Sequence, residues 1–163
     1  MQVRDPTWKL PGEIRPEKMP LSSAVLQQIV SCLRTGSAYL SGWGWTSKRS
    51  RMSDGLMVAN VPIVGHENFN ELYDHLITEN MVCAGGSRAD ACRGDSGGPL
   101  TCERNRAPGN KERYLCGIVS WGSPDCRRMS MPSVYTDVSK YSSWIEKFLR
   151  TWERHYWSKV NFL

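Results

Sequence analysis

The sequence predicts an all-β fold, an antiparallel barrel or sandwich of six short strands followed by one C-terminal helix. Short apolar and β-branched runs alternate with clusters of Gly, Pro, Asn and Ser through most of the chain, whereas the apolar residues near its end recur at helical spacing. The length of 163 residues corresponds to one domain, and the 40% of hydrophobic residues can fill a core.

The elements follow one another in a regular order. The predicted strands are Ala38–Gly42, Leu56–Val64, Met81–Ala84, Gly98–Cys102, Arg113–Ser120 and Ser133–Val138. A short helix is predicted over Glu67–Leu76, and the terminal helix is predicted to begin near Ser139. One apolar stripe runs along the terminal helix, and we interpret it as a packing face: Tyr141, Trp144, Ile145, Phe148, Leu149 and Trp152. Residues 1–18 show neither the alternation of a strand nor the apolar spacing of a helix, and we interpret them as a leader or loose arm. The folded domain is then 19–163.

Composition excludes several classes of partner. The net charge is +5, but the basic residues are scattered through loop-like sequence without interleaved aromatic residues, so we expect no nucleic-acid partner. No run approaches the roughly 18 to 20 apolar residues that a membrane span needs, and the first residues show no secretory signal. The six cysteines have no C-x-x-C spacing and the three histidines do not lie beside them, so we expect neither a metal site nor a cofactor.

The strongest chemical signal is Gly94-Asp95-Ser96-Gly97-Gly98-Pro99. Small residues around a serine allow a tight, strained turn that holds the hydroxyl outward. The backbone N–H groups of Gly94 and Ser96 could then point at one place beside the serine oxygen, which is the arrangement of an oxyanion hole.

This string resembles the nucleophile motif of the trypsin/chymotrypsin-like serine endopeptidases. Further stretches resemble the same family in the same order, namely Ser41-Gly42-Trp43-Gly44, Val61-Pro62-Ile63-Val64, Asn80-Met81-Val82-Cys83-Ala84-Gly85, Gly117-Ile118-Val119-Ser120-Trp121-Gly122, Pro132-Ser133-Val134-Tyr135-Thr136 and the Trp144-Ile145 helix. The resemblance covers about Pro20 to Leu149. It implies two six-stranded barrels with the active site between them, of which this chain matches the second, Greek-key barrel and the linker.

The resemblance assigns a role to each matching position. Ser96 matches the nucleophile, and Gly94 with Ser96 supplies the oxyanion-hole amides. Asp90 matches the carboxylate at the base of the pocket that selects arginine or lysine, which agrees with the need of an enclosed carboxylate for a cation. Asp95 matches the residue that pairs with a newly formed N-terminal ammonium after activation cleavage.

Two further parts of the substrate site are implied. Ser120, Trp121 and Gly122 match the strand against which substrate backbone is laid. Ser133 stands where the family usually has glycine on the pocket wall, so its side chain is expected to narrow the pocket and to weaken the handling of long cationic side chains.

The cysteines follow the family pattern only in part. Cys92 and Cys126 match the disulfide that braces the pocket, and Cys32 matches a cysteine that often tethers the domain to an upstream chain. The family's partners for Cys83 and Cys102 would fall at Phe69 and near Ala38, where this chain has no cysteine. We hypothesise instead that Cys102 and Cys116 pair across a hairpin. Disulfides imply an oxidising compartment, and the resemblance implies a secreted protein.

The chain departs from the family where the rest of the catalytic triad should be. The family's Ala-Ala-His-Cys and Asp-Ile-Ala-Leu contexts do not occur, and His66, His75 and His155 are interpreted as surface residues. We therefore expect a truncated endopeptidase that acts on polypeptides or binds inhibitors and lacks its first barrel. The isolated chain is expected to be nearly inactive and poorly soluble. The alternative is a catalytically inactive, protease-like binding module.

Overall fold

A computed structural model describes residues 36–46, 51–65, 70–87, 89–107, 110–126 and 131–160. The predicted arm at 1–18, the tether cysteine Cys32, the position of Phe69 and His66 lie outside the described residues. The remainder includes every predicted strand.

Six antiparallel strands close into a barrel, so of the two predicted architectures the barrel is confirmed and the sandwich is wrong. The strands are β1 (Gly36–Gly42), β2 (Met57–Val64), β3 (Met81–Ala84), β4 (Pro99–Ala107), β5 (Asn110–Trp121) and β6 (Ser133–Asp137). They neighbour one another in the order β1-β2-β3-β6-β5-β4. Since β4 returns to lie beside β1 after three consecutive strands, the topology is a Greek key.

Strands β4 and β5 extend beyond the predicted bounds into a charged hairpin. Arg104 pairs with Glu112, with 2.6 Å between Nη2 and Oε2, and Arg113 donates to Glu103 at 2.9 Å. The Arg113 guanidinium also lies 4.9 Å from the ring centroid of Tyr39. Cross-strand ion pairs of this kind stabilise a strand that continues into polar sequence. The alternation of apolar residues does not predict such an extension.

A large apolar cluster fills the barrel interior, and a smaller one lies beside it around Tyr73, Ile77, Cys83 and Val134. Ala38, Val61, Leu100, Cys102 and Tyr135 are all 0% exposed in the large cluster. Along β2 the burial alternates between Val61, which is buried, and its exposed neighbours, because successive side chains of a strand point to opposite faces.

The short helix predicted over Glu67–Leu76 is wrong in its described part. Residues 70–75 form turns, in which the N–H of His75 donates to the carbonyl of Asn70 at 2.7 Å. Asp74 and His75 have φ values of 47° and 62°, in the left-handed region that ends a right-handed helix. Tyr73 is buried there, and its hydroxyl donates to the carbonyl of Pro132 at 2.6 Å.

The chain leaves β6 through a 3₁₀ turn, Val138–Tyr141, and then forms helix α1, Ser142–Val160. The Asp137 carboxylate caps the turn by accepting from the N–H of Ser139 at 3.0 Å. The helix predicted near Ser139 therefore begins with this tighter turn. In the described part of the chain, no helix is long and apolar enough to cross a membrane.

The apolar stripe of α1 packs less closely than the sequence predicts. Ile145 and Leu149 are half-buried, whereas Trp144, Phe148 and Trp152 are exposed and the rings of Trp144 and Phe148 stack at 6.0 Å between centroids. All six residues of the stripe are described, and four of them, Tyr141, Trp144, Phe148 and Trp152, are exposed, so the interpretation of the whole stripe as a packing face is wrong within the described part of the chain.

Candidate active site

Ser96 lies exposed on the tight turn that leads into β4. Gly94 and Gly97, on either side of it, have φ values of 93° and 80°, which residues with a side chain rarely adopt. The N–H of Asp95 donates to the carbonyl of Cys92 at 3.0 Å and closes the turn. The serine is therefore presented outward by a backbone conformation that requires these glycines.

The backbone amides of Gly94 and Ser96 donate to no group of the described residues, and both residues are exposed. Beside them, a Cβ on Gly94 would lie 3.1 Å from Cε of Met52 and 3.2 Å from Cα of Gly44. The turn thus has two N–H groups that remain available to a ligand, and a side chain at Gly94 would strain the backbone and press against Met52 and Gly44.

Asp95 is buried beneath this turn, with 5% of its surface exposed. Its Oδ1 accepts from the N–H of Gly44 at 2.8 Å and its Oδ2 accepts from the N–H of Cys92 at 3.0 Å. A Cβ on Gly44 would lie 2.5 Å from the carboxyl carbon. The carboxylate that sequence analysis expected to meet an ammonium therefore joins the nucleophile turn to the segment after β1 through two backbone amides.

A pocket of about 160 Å³ opens beside Ser96. Its walls come from the nucleophile turn, the end of β5 with the loop after it, and the start of β6: Ala91, Cys92, Arg93, Ser96, Val119, Ser120, Trp121, Gly122, Ser123, Pro124, Cys126 and Ser133. A disulfide joins Cys92 and Cys126 across this wall, as the resemblance implied. The sequence-predicted residues Ser96, Ser120, Trp121, Gly122 and Ser133 are thus brought together at one pocket.

Asp90 lies behind that pocket rather than among its lining residues. It is 9% exposed, and its carboxylate accepts from the N–H groups of Ala91 at 2.9 Å, Ser133 at 3.2 Å and Gly86 at 3.2 Å. Burial raises the pKa of the Asp90 carboxyl above its usual value, although hydrogen bonds from the Ser133 hydroxyl and these amides act in the opposite direction. Within the described residues, Asp90 has no cationic partner.

Ser133 adjoins both Asp90 and the pocket, because it lines the pocket and its backbone N–H donates to the carboxylate at 3.2 Å. It is 4% exposed, and a Cβ on Gly122 would lie 2.9 Å from its Oγ. The pocket wall is therefore closely packed at the position where the sequence departs from the family pattern.

The support beneath Trp121 is not evident from the sequence. The ring of Tyr73 meets the ring of Trp121 edge-on, with 5.0 Å between centroids. Burial, together with the nearby Cys83 and Asp90, raises the pKa of Tyr73 to about 12, so its hydroxyl stays protonated and donates to the carbonyl of Pro132. The only signal in the sequence was one tyrosine in a segment that resembled a helix.

No histidine lines this pocket among the residues that the structure describes. His75 is exposed in the turn after β2. A serine hydroxyl needs a base to become an effective nucleophile, and the described residues offer none at Ser96.

Two disulfides brace the described part of the barrel. Besides the pocket disulfide, Cys102 and Cys116 are joined, with 5.9 Å between their Cα atoms, which confirms the proposed pairing across the hairpin of β4 and β5. Ala38 is the β1 residue paired with Cys102 in the sheet, and Cys83 is a buried free thiol.

Comparisons with known proteins agree with this geometry. The family model described as Trypsin matches residues 10–145. Human kallikrein-8 is 44% identical over 112 residues, which are 68% of this chain and 40% of that protein, and human kallikrein-4 is 42% identical over 113 residues, 68% of this chain and 41% of that protein. The structure of neuropsin, a serine protease expressed in the limbic system of mouse brain, matches with a TM-score of 0.64 and 37% identity, over 74% of this chain and 51% of that one. The chain spans about two fifths of the length of these two kallikreins.

Proposed function

Because this chain belongs to the trypsin family of serine proteases, we propose that it carries the nucleophile and the specificity pocket of an endopeptidase that cleaves after arginine or lysine. The observation that carries the proposal is the exposed Ser96 beside a pocket, with the buried carboxylate of Asp90 behind the wall. A buried carboxylate without a cationic partner favours a substrate guanidinium or ammonium in that place.

The proposed chemistry divides between this chain and a second barrel. Ser96 attacks the scissile carbonyl, and the free amides of Gly94 and Ser96 receive the developing oxyanion. Ser120, Trp121 and Gly122 hold the substrate backbone at the end of β5. The imidazole base and its orienting carboxylate come from a first barrel that pairs with this chain, and the acyl-enzyme is then hydrolysed by water.

A non-catalytic binding module is the second candidate. Two observations favour it: no histidine lines the pocket among the described residues, and two backbone amides already satisfy Asp95. Such a module would use the same pocket to hold a basic side chain of a partner without cleaving it.

Fusion of the first barrel of human kallikrein-8 to residues 20–163 distinguishes these candidates. We expect the fusion to cleave an arginine amide substrate, and Ser96→Ala to lower kcat about 10⁴-fold or more, because the triad acts as a unit. Ser143→Ala, which removes an exposed hydroxyl from α1, is the matched control and should change nothing. Affinity for the substrate should fall at acidic pH, since the raised pKa of Asp90 brings its protonation into that range.

A fusion that unfolds cooperatively and binds arginine peptides without cleaving them would establish the binding module instead. A folded fusion that neither cleaves nor binds arginine peptides would contradict both candidates.

We further predict that Ser133→Gly in this fusion improves kcat/KM for arginine substrates about tenfold, because it removes side-chain atoms from the pocket wall beside Asp90. Ser133→Ala is the matched variant, since it removes the hydroxyl but keeps Cβ. An equal gain in both would assign the effect to the Ser133 hydroxyl, whereas a gain in the glycine variant alone would assign it to Cβ. No gain in either would contradict the prediction.

We also propose that the protein works in an oxidising, extracellular setting. Two buried or half-buried disulfides within the described barrel support this, because such bonds persist where thiols are not kept reduced. Polypeptide substrates or inhibitors are the proposed partners. The arm at 1–18 and a tether through Cys32 remain proposals from the sequence.

A further inference from the structure

Helix α1 and the turn before it carry an exposed aromatic face. Tyr141, Trp144, Phe148 and Trp152 are 37%, 64%, 61% and 49% exposed. The last three are spaced four residues apart, so they lie along one side of the helix. The rings of Trp144 and Phe148 stack with 6.0 Å between their centroids, which joins them into one continuous apolar surface. An exposed apolar surface of this kind marks a site of interaction.

Two lysines accompany this aromatic face. Lys140 lies four residues before Trp144 and Lys147 three residues after it, so both are its neighbours on the helix surface. Both lysines are exposed, and neither forms an ion pair with a carboxylate of the described residues. Arg150 pairs instead with Glu146, on the opposite side of the helix. The cations beside the aromatic rings are therefore available to anions, whereas the cation opposite is neutralised.

The composition of the aromatic face favours a lipid surface as its partner. The rings of tryptophan and tyrosine combine an apolar body with a polar N–H or O–H, which suits them to the boundary between lipid and water. The segment 140–160 contains five Lys and Arg residues against two Glu, and the whole chain carries a net charge of +5. Positive charge beside exposed aromatic rings complements an anionic bilayer surface.

We propose that α1 binds the surface of an anionic lipid bilayer, with Trp144 and Phe148 inserted at headgroup level and Lys140 and Lys147 against the anionic headgroups. The helix lies parallel to the bilayer, because only one of its sides is apolar. Its 19 residues provide a contact about 28 Å long. The inference does not depend on cleavage at Ser96 and adds to the proposed function a surface on which the protein works.

Binding of the full 163-residue chain to vesicles tests the proposal. One set of vesicles is phosphatidylcholine alone, and the other is an equal mixture of phosphatidylserine and phosphatidylcholine. We expect co-sedimentation to show about tenfold tighter binding to the anionic vesicles, with the difference shrinking as salt is added. Tryptophan fluorescence should shift to shorter wavelength on binding, because Trp144 leaves water.

Substitutions on the aromatic face have a matched control elsewhere in the chain. Trp144→Ser should weaken binding to the anionic vesicles about tenfold, because it removes a large apolar side chain from the lipid contact. Leu76→Ser removes an apolar side chain of similar exposure, 63% against 64%, from the turns before β3 and should leave binding unchanged. Cooperative urea unfolding of each variant shows that the fold is kept.

The charged contact has its own pair of variants. Lys147→Gln should lower affinity for the anionic vesicles about fivefold, because a cation close to an anionic surface contributes most. Arg150→Gln removes the same charge from the opposite side of α1, so we expect it to have a smaller effect than Lys147→Gln. An effect of Arg150→Gln as large as that of Lys147→Gln would mean that net charge alone drives binding, and the proposed orientation would be wrong.

Three further results would overturn the proposal. The first is equal binding to both kinds of vesicle, or binding to neither. The second is a dimer in sedimentation that Trp144→Ser dissociates, in a chain that binds no vesicles, since a second copy then covers the aromatic face. The third is loss of vesicle binding in the two-barrel fusion, which would mean that the first barrel covers this face. Cleavage by the fusion is measured separately, so failure of the proposed function leaves the vesicle result intact.

Discussion

Replacing both Cys102 and Cys116 with alanine is expected to lower the free energy of unfolding by about 3 kcal/mol, because the bond closes a short loop in the unfolded chain. The sequence separation of the two cysteines is 14, and both are 0% exposed in the barrel core. Urea unfolding under oxidising conditions, followed by tryptophan fluorescence, measures the change.

Cys83→Ala is the matched control for that experiment. It also removes a buried sulfur, but Cys83 is a free thiol, so only packing is lost and a cost of about 1 kcal/mol is expected. A double variant no less stable than Cys83→Ala would show that the cross-link contributes nothing beyond packing.

Asp95→Ala is expected to cost about 2 to 4 kcal/mol of unfolding free energy, since it leaves the buried amide of Gly44 and the part-buried amide of Cys92 without an acceptor. The nucleophile turn would lose its attachment to the segment after β1, so we also expect kcat of the two-barrel fusion to fall with it. Asp95→Asn keeps the shape but only one acceptor oxygen, and should lose less. Thermal unfolding and arginine-substrate cleavage provide the two measurements.

Asp54→Ala controls for the loss of a negative charge. Asp54 is exposed, so its replacement should change stability by no more than about 0.5 kcal/mol. A loss at Asp95 as small as that at Asp54 would mean that the two amide contacts do not hold the turn in place.

The strands were predictable because alternation and turn residues are local signals. The failures also have local causes. The hairpin of β4 and β5 continues through charged residues because Glu103 and Arg113 find each other across the strands. The predicted helix before β3 is replaced by turns at Asp74 and His75, which adopt a left-handed backbone. Both residue types are enriched in that conformation, but their presence does not by itself end a helix.

Some features of the candidate site were likewise predictable from the sequence, and others were not. Ser96, Gly94 and the Cys92–Cys126 disulfide were identified from one contiguous motif and its family context. The stacking of Arg93 on Trp45 could not be identified from the sequence, because 48 positions separate the two residues. Nor could the sequence show that the backbone N–H of Ser133 donates to Asp90, since that depends on how β6 packs beside the turn.

The sequence by itself therefore determined the family, the order of the strands and the residues of the nucleophile turn. Each of these depends on residues close together in the sequence, because hydrophobic spacing and backbone preferences determine local structure over a few positions. Tertiary structure alone decided what surrounds Ser96: the amides that hold Asp95, the Ser133 wall beside Asp90, and the Arg93 guanidinium at the rim, which meets no carboxylate of the described residues. These depend on closure of the barrel, which brings distant segments within hydrogen-bonding distance and fixes which charges are buried and which remain open to a substrate.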